Sequence, residues 1–156
     1  MDSLKKEAGK GIFAWDMSKG DDAIVFRKQE FVCPYAGELI NRNDLIARYG
    51  EYGKYTAPYA IKMDARNLYE DAALYRGVGG LVNHDRKNAN VEFLTVRLPI
   101  YDSKRTTKIV GHELRTCLYA TKDIMNHSEL YADYGKTYRL QEKGVMSSTN
   151  NRKKHV

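Results

Sequence analysis

The stretch that decides the fold lies late in the chain and reads Glu129-Leu130-Tyr131-Ala132-Asp133-Tyr134-Gly135-Lys136-Thr137-Tyr138. Its apolar and aromatic residues from Leu130 to Tyr134 predict a last short segment of the fold, which follows a turn at Asp123–Glu129. The stretch is weak evidence by itself, because a lone tyrosine such as Tyr134 is more often a half-buried core residue than a catalyst. Its meaning therefore depends on the segments that precede it.

Three earlier segments supply that meaning, and each places a glycine or a polar pair beside apolar residues. In chain order they are Gly9-Lys10-Gly11-Ile12-Phe13-Ala14, Phe31-Val32-Cys33-Pro34-Tyr35-Ala36-Gly37-Glu38-Leu39-Ile40 and Gly80-Leu81-Val82-Asn83-His84. An Asn-His dipeptide alone is common, and it usually marks a capped turn with a satisfied histidine. The order and spacing of all four segments are much harder to obtain by chance.

Taken in this order, the four segments resemble the SET domain of protein-lysine methyltransferases. The first is similar to the family's opening glycine-bearing strand, and the second to its tyrosine-x-glycine-acid strand. The third resembles the Asn-His pair, and the fourth the closing glutamate-leucine and aspartate-tyrosine-glycine run. The chain departs from the family after the Asn-His pair, where Asp85 and Arg86 replace the frequent Ser and Cys and Ala89 replaces a common Asn. The cysteine clusters that flank some relatives are also absent from the sequence.

The rest of the sequence predicts many short strands and few helices. Leu45, Ile46 and Tyr49 fall at helical spacing and predict a short helix around 43–49 behind an Asn cap. Gly77-Val78-Gly79-Gly80 predicts a turn or a close backbone approach, and it is not a dinucleotide fingerprint because the strand-to-helix context is missing. Strands are predicted, with a hairpin tip at Asp102–Arg105, over Gly11–Ala14, Ala23–Phe26, Glu30–Tyr35, Tyr55–Met63, Val91–Ile100 and Lys108–Ala120.

These elements predict a mainly β fold with short helices, in the α+β class. The resemblance implies several small β-sheets and a knot-like C-terminal segment threaded under a preceding loop. We expect a flexible N-terminus over residues 1–8, a SET domain over 9–140 and a polar basic tail over 141–156.

Composition limits the partners more than it identifies them. The chain has 156 residues, a formal net charge of +6 and two cysteines. No stretch approaches the ~20 apolar residues that cross a bilayer, and no signal-peptide pattern opens the chain. Two cysteines make neither a zinc site nor a disulfide framework. The positive charge is compatible with acidic or nucleic-acid partners, such as non-specific nucleosomal DNA, but it is also ordinary for solubility.

The resemblance implies the use of S-adenosyl-L-methionine and assigns roles to particular residues, with no metal. Tyr134 would lie beside the reacting methyl group and Tyr35 would line the lysine channel, whereas the alternative for Tyr35 is a core strand tyrosine. Trp15 is a second option for one wall of the cofactor site, although we expect it to be an ordinary core residue. The cofactor contacts implied are Lys10, Gly11, Ile12, Phe13, Tyr55, Asn83 and His84.

The implied function is methylation of a lysine ε-amine, with a histone as the leading substrate and an intracellular location in the nucleus or on chromatin. Two alternatives stay open: methylation of a non-histone protein, and a non-catalytic SET-like module that binds a peptide. In relatives, an aromatic residue two positions before the catalytic tyrosine influences how many methyl groups are added. Here that position is Ala132 with Tyr131 beside it, so the number of methyl groups is not determined by this position.

Overall fold

The computed structural model describes residues 1–4, 9–51, 57–63 and 67–135. One α-helix, α1, occurs in these ranges, together with a 3-10 helix at Val78–Leu81. The ten strands are β1 Ile24–Phe26, β2 Phe31–Pro34, β3 Glu38–Asn41, β4 Ala60–Lys62, β5 Leu68–Asp71, β6 Asn83–His84, β7 Val91–Asp102, β8 Arg105–Ala120, β9 Ile124–Met125 and β10 Tyr131–Ala132. The expected mainly β class is confirmed.

The strands form three sheets. The largest has five strands in the order β2-β8-β7-β10-β6, the second has the order β3-β5-β4, and β1 pairs with β9. The longest strands of the five-stranded sheet form the β7–β8 hairpin, which was predicted from its apolar and β-branched residues. The expected threading of the C-terminal segment stays a prediction.

The insertion of β10 between β6 and β7 organises the site. β10 runs parallel to both neighbours, with Tyr131 opposite Asn83 and Ala132 opposite both His84 and Val91. Parallel neighbours need long connections, and here residues about fifty positions apart become adjacent. The main core lies beneath these strands and includes Ala14, Val82, Val91, Leu118, Ala120, Ile124, Leu130 and Ala132.

Helix α1, Arg42–Tyr49, forms where the apolar spacing predicted it. Its N-cap is Asn41, whose side chain accepts hydrogen bonds from the backbone N–H groups of Asn43 and Asp44. The Asp44 carboxylate accepts in return from the Asn41 N–H, which completes a capping box. Leu45 is buried against Ile40 and Tyr69 of the three-stranded sheet, so α1 and that sheet form one small unit.

Two expectations about local structure need correction. The segment Gly11–Ala14 is not a continuous strand but makes a single bridge, between Phe13 and Glu129. Trp15, expected in the core, is 59% exposed, and its ring lies 6.1 Å from that of His127. The sequence did not predict β5, in which Glu70 and Asp71 are fully buried.

No helix in the described parts of the chain is both long enough and apolar enough to cross a bilayer.

Candidate active site

Tyr134 directly contacts strand β6, which consists of Asn83 and His84, and the residue before it. Its hydroxyl donates a hydrogen bond to the carbonyl of Val82, the residue before Asn83. Its backbone N–H donates to Nδ1 of His84 over 3.0 Å, and the two rings lie 5.3 Å apart. The parallel pairing of β10 with β6 produces these contacts, because it carries the chain beyond Ala132 past His84. The structure therefore brings together two motifs that are fifty residues apart.

The His84 ring contacts two backbone groups of the last described segment. Its Nδ1 atom lies 3.0 Å from the Tyr134 nitrogen and 3.2 Å from the Ala132 carbonyl oxygen. A backbone N–H can only donate, so Nδ1 accepts the hydrogen bond from Tyr134. This contact anchors the backbone of Tyr134 to His84.

Tyr35, the second tyrosine of the predicted site, is almost completely buried, with 4% of its surface exposed. Its hydroxyl donates to the carbonyl of Tyr59 over 2.7 Å. Burial raises the pKa of the Tyr35 hydroxyl well above its ordinary value, and the neighbouring Tyr134 and Asp71 raise it further. The phenol therefore stays protonated and uses its O–H in the hydrogen bond to the Tyr59 carbonyl, so toward other groups its oxygen can act as an acceptor.

Phe93 connects the two tyrosines, and we did not single it out from the sequence. Its ring lies 5.7 Å from that of Tyr35, edge to face, and 5.9 Å from that of Tyr134. These separations are within the favourable range for aromatic pairs. Tyr35, Phe93, Tyr134 and His84 thus form a continuous row of rings. The alternation of Val91, Phe93 and Thr95 along β7 hinted at a common face, but not at its neighbours.

A buried carboxylate holds the turn that follows Tyr35. Glu70 accepts hydrogen bonds from the N–H groups of Gly37, over 3.0 Å, and Thr116, over 2.6 Å. The backbone of Tyr35 is bonded to the same strand, since its N–H donates to the carbonyl of Thr116 over 2.9 Å. The guanidinium of Arg115 lies 3.7 Å from Glu70 and balances its charge. Glu70 therefore ties the three-stranded sheet to β8 beside the row of rings.

Gly79 allows the 3-10 helix at Val78–Leu81 to pack closely against the backbone of Pro34 and Tyr35. A Cβ atom at this position would lie 2.6 Å from the Pro34 carbonyl oxygen and 3.0 Å from the Tyr35 Cα. Both neighbours are backbone atoms, which cannot move aside easily. The close backbone approach predicted for Gly77–Gly80 is confirmed, and it fixes the position of Tyr35 from below.

The residues proposed to hold a cofactor lie around the side chain of Asn83 in β6. The Asn83 side-chain amide donates to the Lys10 carbonyl and to Oε1 of Glu129, both over 3.1 Å. Its Oδ1 has no hydrogen-bond partner among the residues that the structure describes. Gly11 packs so closely on the Glu129 carboxylate that a side chain could not be accommodated without a shift. Glu129 belongs to the fourth sequence segment, but the sequence did not identify it as a site residue.

The Glu129 carboxylate accepts hydrogen bonds from the N-terminal segment and from Tyr131, in addition to that from Asn83. The hydroxyl of Ser3 and the backbone N–H of Leu4 each donate over 2.6 Å, and the Tyr131 hydroxyl donates over 2.5 Å. Burial by itself raises the pKa of the Glu129 carboxyl, but the hydrogen bonds outweigh burial and lower it below its ordinary value. The residue is therefore an ionised structural anchor for the Lys10–Phe13 segment.

The remaining predicted site residues are Ile12, Phe13 and Tyr55. Ile12 accepts a hydrogen bond from the Leu130 N–H over 2.8 Å, and Phe13 forms the bridge to Glu129, so both follow the same segment as Lys10. Tyr55 lies outside the described residues. Tyr131 points away from Tyr134, because its hydroxyl is held by Glu129.

Other reactive groups are not organised into a centre. Within the described ranges, no three His, Cys, Asp or Glu side chains are grouped so that they could hold a metal ion. Cys33 and Cys117 are free thiols. Burial raises the pKa of the Cys33 thiol to about 11, which keeps it protonated and unreactive at neutral pH.

Comparison with solved structures finds chains of similar fold in a polycomb repressive complex 2. "ctPRC2 in an autoinhibited conformation bound to S-adenosylmethionine" aligns with a TM-score of 0.60 at 25% identity over 91% of this chain. The polycomb repressive complex 2 from Chaetomium thermophilum aligns with a TM-score of 0.62 at 25% identity over 88% of this chain. This chain spans 15% of the length of each of those chains. Comparison with curated protein sequences gives no match.

The four sequence segments, the inserted strand β10 and the meeting of Tyr134 with Asn83-His84 agree with one family. A family model described as the SET domain matches residues 9–135, which include all four segments except the last three residues of the fourth. This chain belongs to the SET domain family.

Proposed function

We propose that this protein is a protein-lysine N-methyltransferase that uses S-adenosyl-L-methionine and acts on a histone. The observation that carries the proposal is the contact of Tyr134 with the Asn83-His84 strand, next to a row of aromatic rings that includes Tyr35. Membership of the SET domain family supports the enzyme class. The similar solved structure with bound S-adenosylmethionine supports the cofactor.

The chemistry of the residues near Asn83 fits this cofactor. S-adenosyl-L-methionine supplies an activated methyl group on a sulfonium and carries an ammonium and a carboxylate at its amino-acid end. The Oδ1 atom of Asn83 is an acceptor suited to that ammonium. Backbone groups of Lys10, Gly11, Ile12, Phe13 and His84 are the other contacts that we propose, and Tyr55 remains a further candidate.

The protein must also present the lysine as a neutral amine. A free lysine with a pKa near 10.4 is almost entirely protonated at pH 7, and deprotonation there costs about 4 to 5 kcal/mol. A narrow apolar channel disfavours the charged form, as does the nearby sulfonium. Aromatic walls exclude water while they tolerate a cation that enters. Tyr35, Phe93 and Tyr134 are the walls that we propose.

The hydroxyl groups then orient the amine. Both tyrosine hydroxyls donate hydrogen bonds to backbone carbonyls, Tyr35 to that of Tyr59 and Tyr134 to that of Val82. Their oxygens can therefore accept hydrogen bonds from the N–H groups of the amine, which aims the nitrogen lone pair away from the hydroxyls. Alignment of this kind is the main contribution an enzyme can make when the leaving group is already good.

The substrate part of the proposal rests on the resemblance to compact, zinc-free histone enzymes and on the net charge of +6. A positive domain tolerates nucleosomal DNA, so we propose weak, salt-dependent contact with DNA and a location on chromatin.

The test is transfer of radiolabelled methyl groups to core histones and nucleosomes, followed by mass spectrometry of the labelled site. We expect Tyr134→Phe to lower turnover about 100-fold or more while the affinity for S-adenosyl-L-methionine in calorimetry changes only a few-fold. Tyr119→Phe is the matched control, because Tyr119 packs on Phe31 away from the row of rings, and it should keep wild-type turnover.

Three results would redirect the proposal. Label in other proteins of a cell extract but not in histones would favour a non-histone substrate. An absence of cofactor binding would favour the non-catalytic module. Equal turnover by the Tyr134→Phe variant and the wild type would remove Tyr134 from the chemistry.

A further inference from the structure

The far part of the β7–β8 hairpin extends beyond the rest of its sheet. β10 pairs with β7 only at Val91, and β2 pairs with β8 no further than Cys117. Arg115 still donates a hydrogen bond to the Gly37 carbonyl. In the described structure, the hydrogen bonds of residues 97–114 stay within the hairpin. We call residues 97–114 the arm, and at about 3.4 Å per residue it reaches roughly 20 Å past the sheet.

The arm carries large apolar side chains that are open to solvent. Tyr101 lies opposite Ile109, and each is 50% exposed. Val110 is 56% exposed and Ile100 is 40% exposed. A two-stranded ribbon without further strands is only marginally stable in water, and a contiguous patch of exposed apolar side chains usually marks an interaction site. The arm therefore has the properties of a surface that a partner covers.

The charge of the arm indicates what kind of partner this is. The arm contains more basic residues than acidic ones, namely Arg97, Lys104, Arg105 and Lys108 against Asp102 and Glu113. Both acids already have partners, because Asp102 accepts from the Lys104 backbone N–H over 2.8 Å and Glu113 pairs with Arg115 over 2.9 Å. The side chains of Arg97, Lys104 and Lys108 are exposed. The arm is therefore complementary to an acidic partner.

The same features disfavour pairing of the arm with a second copy of this chain. Two arms that met edge to edge would bring their positive side chains together. The pairing register of the hairpin also shifts on both sides of Tyr101. Such irregularities twist a strand and interrupt the row of backbone groups that a further strand would need.

The shape of the arm fits a groove of duplex DNA. A two-stranded β-ribbon is narrow enough to enter the major groove. Arg97 lies on β7, Lys108 lies on β8 and Lys104 lies at the turn between them, so the basic side chains follow both strands of the ribbon. Phosphates border a groove on both sides in the same way, whereas the acids of a protein surface have no such regular arrangement.

We propose that the arm binds duplex DNA, with Tyr101 and Ile109 in a groove and Lys104 and Lys108 on the flanking phosphates. Lysines on phosphates supply affinity that does not depend on sequence, and apolar side chains contact the base edges. This inference rests on the DNA contact included in the proposed function, and it names the element that makes that contact.

The experiment measures binding of a short fluorescein-labelled DNA duplex to the full chain by fluorescence anisotropy, at several salt concentrations. Neither cofactor nor histone is present, so the result does not depend on methyl transfer. The Lys104→Gln, Lys108→Gln double variant removes two positive charges from the tip of the arm. Each phosphate contact contributes about 0.9 to the slope of log affinity against log salt, so the slope should become shallower by about 1.8. At about 0.1 M salt the affinity should fall about tenfold or more.

The matched control is the Lys28→Gln, Lys122→Gln double variant, which removes the same charge. Both lysines are exposed, and they flank the Gln29–Ala120 hydrogen bond at the opposite end of β8 from the tip. This control should keep the wild-type salt slope.

A second variant tests the apolar part of the contact. The Tyr101→Thr, Ile109→Thr double variant removes the large apolar side chains but keeps β-branched residues, which favour strands. Both positions are half exposed, so the fold should be retained, as far-UV circular dichroism would show. Binding should weaken several-fold with an unchanged salt slope, because no ionic contact is lost.

Four results would overturn the inference alone. The first is equal affinity of the Lys104→Gln, Lys108→Gln variant and its matched control, and the second is wild-type affinity in the Tyr101→Thr, Ile109→Thr variant. The third is displacement of the labelled duplex by polyglutamate as effectively as by unlabelled duplex, which would assign the arm to acidic proteins. The fourth is self-association of the wild type in sedimentation that the Tyr101→Thr, Ile109→Thr variant loses, which would assign the arm to a second copy.

Two other results separate the inference from the proposed function. Absence of DNA binding by the wild type would overturn the DNA contact of the proposed function, and the inference with it. Absence of methyl transfer in a protein that binds DNA through its arm would overturn only the enzymatic part of the proposed function.

Discussion

Replacement of Glu70 by Gln is the sharpest test of how the site is held together. The carboxylate is fully buried and accepts two backbone hydrogen bonds, from Gly37 and Thr116. A Gln side chain has nearly the same shape, but only one of its two terminal atoms can accept. Its amide nitrogen would therefore face one of the two N–H groups, donor against donor.

The expected loss of stability follows from these contacts. A hydrogen bond to a charged group contributes about 1.5 to 3 kcal/mol, and a buried donor without a partner costs about 1 to 3 kcal/mol. We therefore expect Glu70→Gln to lower the free energy of unfolding by about 2 to 5 kcal/mol. Typical domains are stable by only about 5 to 15 kcal/mol, so this is a large fraction of the total.

The assay is urea unfolding followed by far-UV circular dichroism. Fluorescence is a poor probe here, because the single tryptophan, Trp15, is 59% exposed in the folded state. With a denaturant slope of about 2 kcal/mol per molar urea, the midpoint should fall by about 1 to 2.5 M.

The control is Glu113→Gln, which removes the other carboxylate beside Arg115. Glu113 contacts Arg115 over 2.9 Å, but its side chain is 36% exposed, and it accepts no backbone N–H in the described structure. Such a pair is worth under about 1 kcal/mol. Equal losses in the two variants would refute the reasoning, because they would mean that the two backbone hydrogen bonds of Glu70 add nothing to the ion pair.

Two further changes test the anchors around the site. The lowered pKa of Glu129 means that its ionised form stabilises the fold above the ordinary carboxyl value of about 4.3, and that this contribution is lost as the pH falls through the lowered value. Glu129→Gln should therefore be less stable than the wild type at pH 7 and should lose less stability on acidification, as measured by thermal melts from pH 7 to pH 3. The same dependence of stability on pH in both proteins would contradict this. The control Glu92→Gln, at an exposed position of β7, should change neither the stability at pH 7 nor its dependence on pH. Asn41→Ala should cost about 0.5 to 2 kcal/mol in urea unfolding, because two backbone N–H groups of α1 lose their acceptor; a loss below that range would mean that water replaces the cap fully.

The sequence by itself determined the elements whose signals are local. Apolar and β-branched runs predicted the β7–β8 hairpin, and the helical spacing of Leu45, Ile46 and Tyr49 predicted α1. Four short motifs were enough to indicate the SET domain family. Local signals suffice in these cases, because a hairpin and a capped helix form from residues that are close in the chain.

Tertiary structure decided which residues meet. β5 carries two charged residues, Glu70 and Asp71, and their burial is favourable only because other segments supply partners. Backbone N–H groups of Gly37 and Thr116 donate to Glu70, and Arg48 and Tyr49 donate to Asp71. Trp15 was expected to be a core residue, but in the structure its side chain is largely exposed and lies beside His127. The place of Phe93 between two tyrosines depends on the insertion of β10 beside β7 and β6, which no local pattern encodes. Pairing between strands that are distant in the chain is a property of the whole fold, so the walls of the site became visible only when all three strands were in place.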